Sequence, residues 1–247
     1  MSFDFNIFVD ALTSDALRNG ALITLALAAV SQVAATIIGF GLALARTSGS
    51  RVLRGGTTFY LWFFRATPLL LQLVFIWNAL PQLFPGLRAG WFTPFIAAFV
   101  ALSLHEGAYM AEITRSGLQS VDPGQKLAAK ALGMRPAQTM RRVIAPQAIR
   151  TMIPPTTNEF ITLLKLTSLA SVISLNELLT VTNQVVSVSF KFAEMYAAAA
   201  VYYLVMVSIL MVLQSRVERR FAWTSRKRPA SKAVPAPAPI PVVHDAR

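Results

Sequence analysis

The sequence predicts an all-α fold, a polytopic membrane helix bundle of about five transmembrane helices. Two observations carry the prediction. Near-uncharged apolar segments long enough to cross a bilayer recur at about 20–45, 57–80, 94–110, 160–182 and 196–213. Basic residues collect in every second connection between them. The composition agrees: 55% of the 247 residues are hydrophobic and 14% charged, with mean hydropathy +0.54. A soluble core of this size would show amphipathic helices, which these segments are not. Within lipid a backbone must satisfy its own hydrogen bonds, so such segments fold as helices.

Residues 1–19 carry Asp4, Asp10 and Asp15 against Arg18, with no basic stretch leading into an apolar core and cleavage site. They read as an uncleaved interfacial helix or strap bearing Phe3, Phe5, Ile7, Phe8 and Leu12. The first span is rich in small residues (Ala26, Ala28, Ala29, Ala34, Ala35, Gly39, Gly41), which let membrane helices approach closely. Arg46, Arg51 and Arg54 follow it. The second span encloses Arg65 and ends in a turn at Pro81, Pro85 and Gly86, with Trp91 and Phe92 suited to an interface. A long connection follows the third span. The fourth span leads through a loop at 182–195 to the fifth. The basic segment 221–247 holds a Pro/Ala-rich run at 229–241, cannot bury a core, and reads as a disordered cytoplasmic tail.

The distribution of cations orients the bundle. The 46–56 connection holds three basic residues, the 112–150 connection seven, and the stretch after Leu213 eight, against Arg18, Arg88 and Lys191 on the other side. This places the N-terminus outside and the C-terminus in the cytoplasm. The net charge of +12 therefore serves topology and membrane lipid rather than nucleic acid. There is no cysteine, so disulfides and thiolate metal sites are excluded.

The connection at 121–149 is the most structured of the loops. Asp122 suits an N-cap, Pro123 the first helical position and Gln125 a capping box; a helix over 126–132 can end at Gly133 in the left-handed conformation. A second short helix is expected from Pro136, carrying Met140, Val143 and Ile144 on one face.

Charges inside spans mark polar surroundings, because an unpaired one at the bilayer centre costs about 2.5–3.5 kcal/mol. Asn158, Glu159 and Thr162, with Arg65, Thr67 and Gln72 of the second span, are the candidates for a polar path that accepts a zwitterion. Glu159 and Lys165 equally suit structural or interfacial ion pairing. Pro68, Pro154 and Pro155 can kink helices and free backbone groups. Tyr109 and Glu112 read as anchors of the 121–149 loop. No phosphate loop, zinc-protease motif, nucleophile elbow or Cys-x-x-Cys occurs, so the sequence predicts no catalytic or metal site, no bound cofactor and no ATP hydrolysis by this chain.

Residues 105–175 resemble the permease subunits of bacterial ATP-binding-cassette importers, specifically the polar amino-acid uptake branch. That family carries a cytoplasmic loop with Glu-Ala-Ala, a following Gly and a later Ile-x-Leu-Pro. Ala128, Ala129, Gly133, Ile144 and Pro146 match; Leu127 stands in place of the Glu and Ala145 in place of the Leu. The runs at 65–72, 107–113, 117–121, 158–165 and 167–173 are also similar to the branch, and the likeness extends over about 20–220.

The resemblance implies that 20–220 is a transmembrane permease domain in the bacterial inner membrane. It further implies a separate ATPase, which uses ATP and Mg, docking on Leu127, Ala128, Ala129, Lys130, Ala131, Leu132, Gly133, Met134 and Pro136. A second permease subunit, a copy or a paralogue, and an external solute-binding protein complete the expected assembly. The branch handles polar amino acids, opines and related solutes. The rival function is an ion-coupled secondary transporter, which usually has more spans, repeated halves and intramembrane acids.

Overall fold

The computed structural model describes residues 3–221, and these are helical with no strand. The expected tail therefore lies outside the described residues, apart from Phe221.

A short helix α1 (Phe5–Thr13) precedes α2 (Asp15–Thr47), which at 33 residues is about 50 Å long. Ser14 both ends α1 and caps α2, its hydroxyl accepting from Leu17 N–H. The strap expected at the N-terminus is α1. It lies against the last helix, where Tyr202 Oη donates to Leu12 O and Asp4 N–H to Glu194 Oε1.

The second span is broken at Pro68, one of the prolines expected to kink a helix. α3 (Arg51–Ala66) stops at Thr67 and Pro68, and the chain turns through 104° into α4 (Leu69–Val74), a wide turn at Phe75–Ala79 and α5 (Leu80–Leu83). Proline offers no N–H and holds the preceding residue extended, as seen at Thr67 (φ −101°, ψ 141°). A 3₁₀ turn at Pro85–Arg88 leads to α6 (Pro94–Gln119), capped by Thr93.

The next helix is α7 (Pro123–Ala131). The second short helix does begin at Pro136, but it is not separate. α8 (Pro136–Thr139), a wide turn at Met140–Ile144, α9 (Ala145–Leu166) and a 3₁₀ segment at Thr167–Ile173 form one helical run. Pro154 and Pro155 sit inside α9 on its exposed face without breaking it.

The break falls instead at 174–177, inside the segment expected as the fourth span. Ser174 turns left-handed (φ 59°), and Glu177 restarts the chain as α10 (Leu178–Ser189), accepting from Leu179 and Thr180 N–H. The two arms differ in direction by 48°. The expected 182–195 loop is mostly helix; only Phe190, at φ 55°, and Lys191 separate α10 from α11 (Phe192–Phe221).

Among the described residues, three helices (α2, α6, α11) are long and apolar enough to cross a membrane, or up to five spans if each bent run counts as one. α2 and α6 form the centre of the bundle. A Cβ on Gly39 would stand 2.5 Å from Met110 Cβ and 2.6 Å from its carbonyl carbon, so only glycine permits this approach. One apolar cluster packs Leu27, Leu73, Leu102, Leu163 and Ile173; another packs Leu17, Ala28, Leu164, Leu178 and Ala198. The break at 174–177 is locked between them. Glu177 is fully buried, is reached by Tyr203 Oη, and its neighbour Leu178 donates N–H to Thr24 Oγ1.

Candidate functional site: a displayed helix and a polar elbow

The first site is α7. Asp122 Oδ1 accepts from Gly124 N–H at 2.7 Å, so the expected N-cap forms. The expected capping box at Gln125 does not. Gln125 N–H bonds the Asp122 carbonyl, and the reciprocal arrangement appears one helix later, where Arg135 N–H donates to Gln138 Oε1.

The C-terminus is fixed by two bonds. Gly133 N–H reaches Lys130 O (3.0 Å) and Met134 N–H reaches Ala129 O (3.1 Å), with Gly133 left-handed at φ 73°. Of the nine docking candidates, Ala129 faces inward and is buried and Met134 is half-buried. Leu127, Ala128, Lys130, Ala131, Leu132, Gly133 and Pro136 are exposed. Leu127 and Leu132 are 67% and 81% exposed, so the turn displays bare apolar side chains on a charged loop.

An ion-pair bridge stands just before this helix. Glu112 Oε1 accepts from Arg46 at the end of α2, and its Oε2 accepts from Arg115 Nε (2.8 Å); Arg115 in turn reaches Gln119 Oε1 (2.6 Å). Glu112 is thus an anchor at the approach to the loop. Tyr109 turns instead toward α3.

The second site gathers at the elbow between α3 and α4. Gln72 Nε2 donates to Phe64 O, Thr67 O and Thr67 Oγ1 at 3.2, 3.1 and 2.7 Å. Three acceptors fix the amide orientation, so Gln72 Oε1 is the atom facing His105 Nδ1 at 3.2 Å, and His105 donates there. Gln72 and Thr67 therefore close the bend on themselves, and Gln72 is buried. Arg65 stays exposed, its guanidinium 5.7 Å above the ring of Tyr109, whose ring lies 5.3 Å from that of His105. Arg46, Thr58, Trp62, Arg65, Tyr109 and Glu112 are among the residues lining an open cavity of about 480 Å³.

On α9, Asn158 is exposed, and Glu159 and Thr162 are half-buried at adjacent helical positions. Glu159 lies within electrostatic reach of Glu106 on α6. Glu106 is 1% exposed, and its Oε1 has no hydrogen-bond partner among the described residues. No ion pair joins Arg65 to Glu159 among the described residues. Lys165 points elsewhere, into a cavity it shares with Tyr203, Leu204 and Val207 of α11.

Glu106 and His105 were absent from the predicted path. The signal was available for Glu106: it is a charge in the middle of an apolar span, by the same rule that singles out Arg65, Glu159 and Lys165. His105 gave no such signal, because its partner Gln72 meets it only through the bend at Pro68.

These features define a class: a multi-pass helical membrane protein with a polar interior and a short, rigidly capped helix displayed at its basic end. The chain belongs to the family of binding-protein-dependent transport system inner membrane components, whose model matches residues 35–223.

Its relatives include the arginine transport system permease protein ArgU of Corynebacterium glutamicum, 40% identical over 89% of this chain and 72% of the relative. The octopine transport system permease protein OccM of Rhizobium radiobacter is 40% identical over 86% and 88%. The glutamine transport system permease protein GlnP of Escherichia coli is 36% identical over 89% and 98%. A crystal structure of an amino acid ABC transporter with histidines matches at 36% identity and TM-score 0.81, covering 89% of this chain and all of that one.

Proposed function

We propose that this chain is the non-catalytic permease subunit of an ATP-driven importer of polar amino acids. It forms the translocation path, while a separate ATPase supplies the energy. One observation carries the reading: the family's loop is built here as a capped helix, α7, displaying Leu127, Ala128 and Leu132 outward. The relatives named above, permeases of arginine, octopine and glutamine transport systems, support the amino-acid class.

In this reading α7 seats in a groove of the ATPase, where alanines allow close approach and Gly133 turns the chain away. ATPase closure moves α7 as a rigid unit. It lies between α6 and the start of α8–α9, the helices that carry Glu106 and Glu159, so its displacement opens and closes the polar interior. ATP and Mg are bound by the partner. The basic end faces the cytoplasm, a solute-binding protein docks on the opposite side, and a second permease subunit completes the path in the inner membrane.

The test is uptake by vesicles holding this chain with its ATPase and binding protein. Uptake of a polar amino acid that requires ATP and is blocked by vanadate is expected. Uptake that persists with an inactive ATPase and collapses with the proton gradient would overturn the reading in favour of an ion-coupled carrier.

A further inference from the structure

We propose that α3 lies in the plane of the bilayer at the basic end of the bundle and that its arginine edge binds the phosphate headgroup of an anionic phospholipid. The inference rests on the membrane-helix fold and not on the transport reading.

The direction of α3 comes first. α6 is long and apolar enough to cross the membrane, and α4–α5 follows it. Gln72 meets His105 at 3.2 Å, and further on Trp77 stacks on Phe92, just before α6 begins. α3 stands at 104° to α4–α5, so it runs across α6 rather than along it. Its contacts agree: Tyr60 Oη donates to Leu104 O, Leu61 packs with Ala108 and Ala111, and Arg65 lies over Tyr109. This level of α6 borders Glu112 and its bond to Arg46, at the basic end.

At about 100° per residue, α3 presents three faces. Thr57 and Leu61 are buried against the bundle, with Tyr60 and Phe64 half-buried beside them. Val52, Phe59 and Phe63, spaced i, i+7 and i+11, form an exposed apolar edge. Arg51, Arg54 and Arg65, spaced i, i+3 and i+14, form an exposed cationic edge on another side. Trp62 lies between these two edges and is 63% exposed. A helix in the hydrocarbon is penalised for each unpaired arginine. A helix in the interface gains from this pattern, apolar edge toward the acyl chains and cations toward the headgroups.

The cationic edge borders a cavity. It has a volume of about 480 Å³, and its lining includes Arg46, Thr58, Trp62, Arg65, Tyr109 and Glu112. Glu112 is already shared by Arg46 and Arg115, and no acid pairs with Arg51, Arg54 or Arg65 among the described residues. The cavity therefore carries excess positive charge. Thr58 gives its hydroxyl proton to Arg54 O, so the donors left are guanidinium N–H groups, which suit a phosphate. An anionic lipid meets both needs, with its phosphate on the arginines and its chains on Val52, Phe59 and Phe63. A second copy of this chain meeting the same edge through a twofold axis would set arginines against arginines.

The test is tryptophan quenching in phosphatidylcholine nanodiscs that hold the full chain as purified from the membrane. The signal of Trp62 is the difference between wild type and Trp62→Phe. Brominated phosphatidylglycerol and brominated phosphatidylcholine are titrated separately. One arginine near an anionic lipid is worth a factor of about five. We expect phosphatidylglycerol to quench Trp62 at about a fifth of the mole fraction that phosphatidylcholine needs, or less. Arg65→Gln should remove the difference, and Arg88→Gln, an exposed cation outside α3, should keep it. Equal quenching by both lipids in wild type would overturn the inference, whatever the variants do. Absence of quenching by either would overturn it in favour of a protein neighbour on this edge. Relief of the quenching by inorganic phosphate would overturn it in favour of a soluble anion. Each of these results leaves the permease reading standing.

Discussion

Gly133 is held at φ 73°, where an L side chain is strained, although nothing lies within 4 Å of a Cβ built there. The strain is therefore purely of the backbone. Gly133→Ala should weaken the end of α7 by about 1 kcal/mol, and Gly133→Asn by less, read as faster amide exchange at 123–134. Gly39 is the opposite case, with ordinary backbone but no room. Gly39→Val should cost about 1–3 kcal/mol or more and lower the thermal midpoint in detergent, because Met110 backbone atoms cannot yield as a side-chain tip would. At Leu127 the family's acid is replaced by an exposed apolar side chain, so Leu127→Glu should be tolerated, with ATPase retention near wild type in pull-downs.

Two element-level devices tie the helices to one another. The first is the Glu177 cap at the α9–α10 break, fully buried and fed by two backbone N–H groups, Thr180 Oγ1 and Tyr203 Oη. Glu177→Ala removes the start signal of α10 and should cost about 1–3 kcal/mol of stability, whereas Tyr203→Phe should cost about 1 kcal/mol or less, both read by thermal denaturation. The second is the Arg46–Glu112–Arg115 bridge. These side chains are 24–37% exposed, and solvent reduces their worth to stability. Their position, between the end of α2 and the approach to α7, matters more. Glu112→Gln should leave the thermal midpoint within a few degrees of wild type, yet lower amino acid imported per ATP hydrolysed. An equal fall in uptake and hydrolysis would contradict a role in transmitting motion.

Across the whole molecule, the order of spans and the capped loop helix were legible because apolar runs, prolines and glycines signal them locally. The bend at Pro68 was legible as a break, but its 104° angle was not, because Gln72 and His105 set it from distant positions. The helix start at Pro136 was legible, but its continuity with the fourth span was hidden by polar residues and the Pro154–Pro155 pair, which helix-breaking rules penalise but an exposed face tolerates. The break at 174–177 escaped notice for the converse reason. It contains neither proline nor glycine, and it exists because Glu177, Thr24 and Tyr203 from three helices converge. Of the six path candidates, Thr67 and Gln72 close the elbow, Arg65 lies over the Tyr109 ring, and Glu159 stands near a Glu106 that only the packed structure reveals as buried, its Oε1 without a hydrogen-bond partner among the described residues.

The central claim is that this bundle is driven through α7 by a borrowed ATPase. Its most direct measurement is the amount of ATPase retained by the solubilised permease. Wild type should retain it, and Ala128→Trp and Leu132→Arg, both on the displayed face, should release it while keeping the wild-type thermal midpoint. Retention by both variants, or its absence in wild type, would contradict the account.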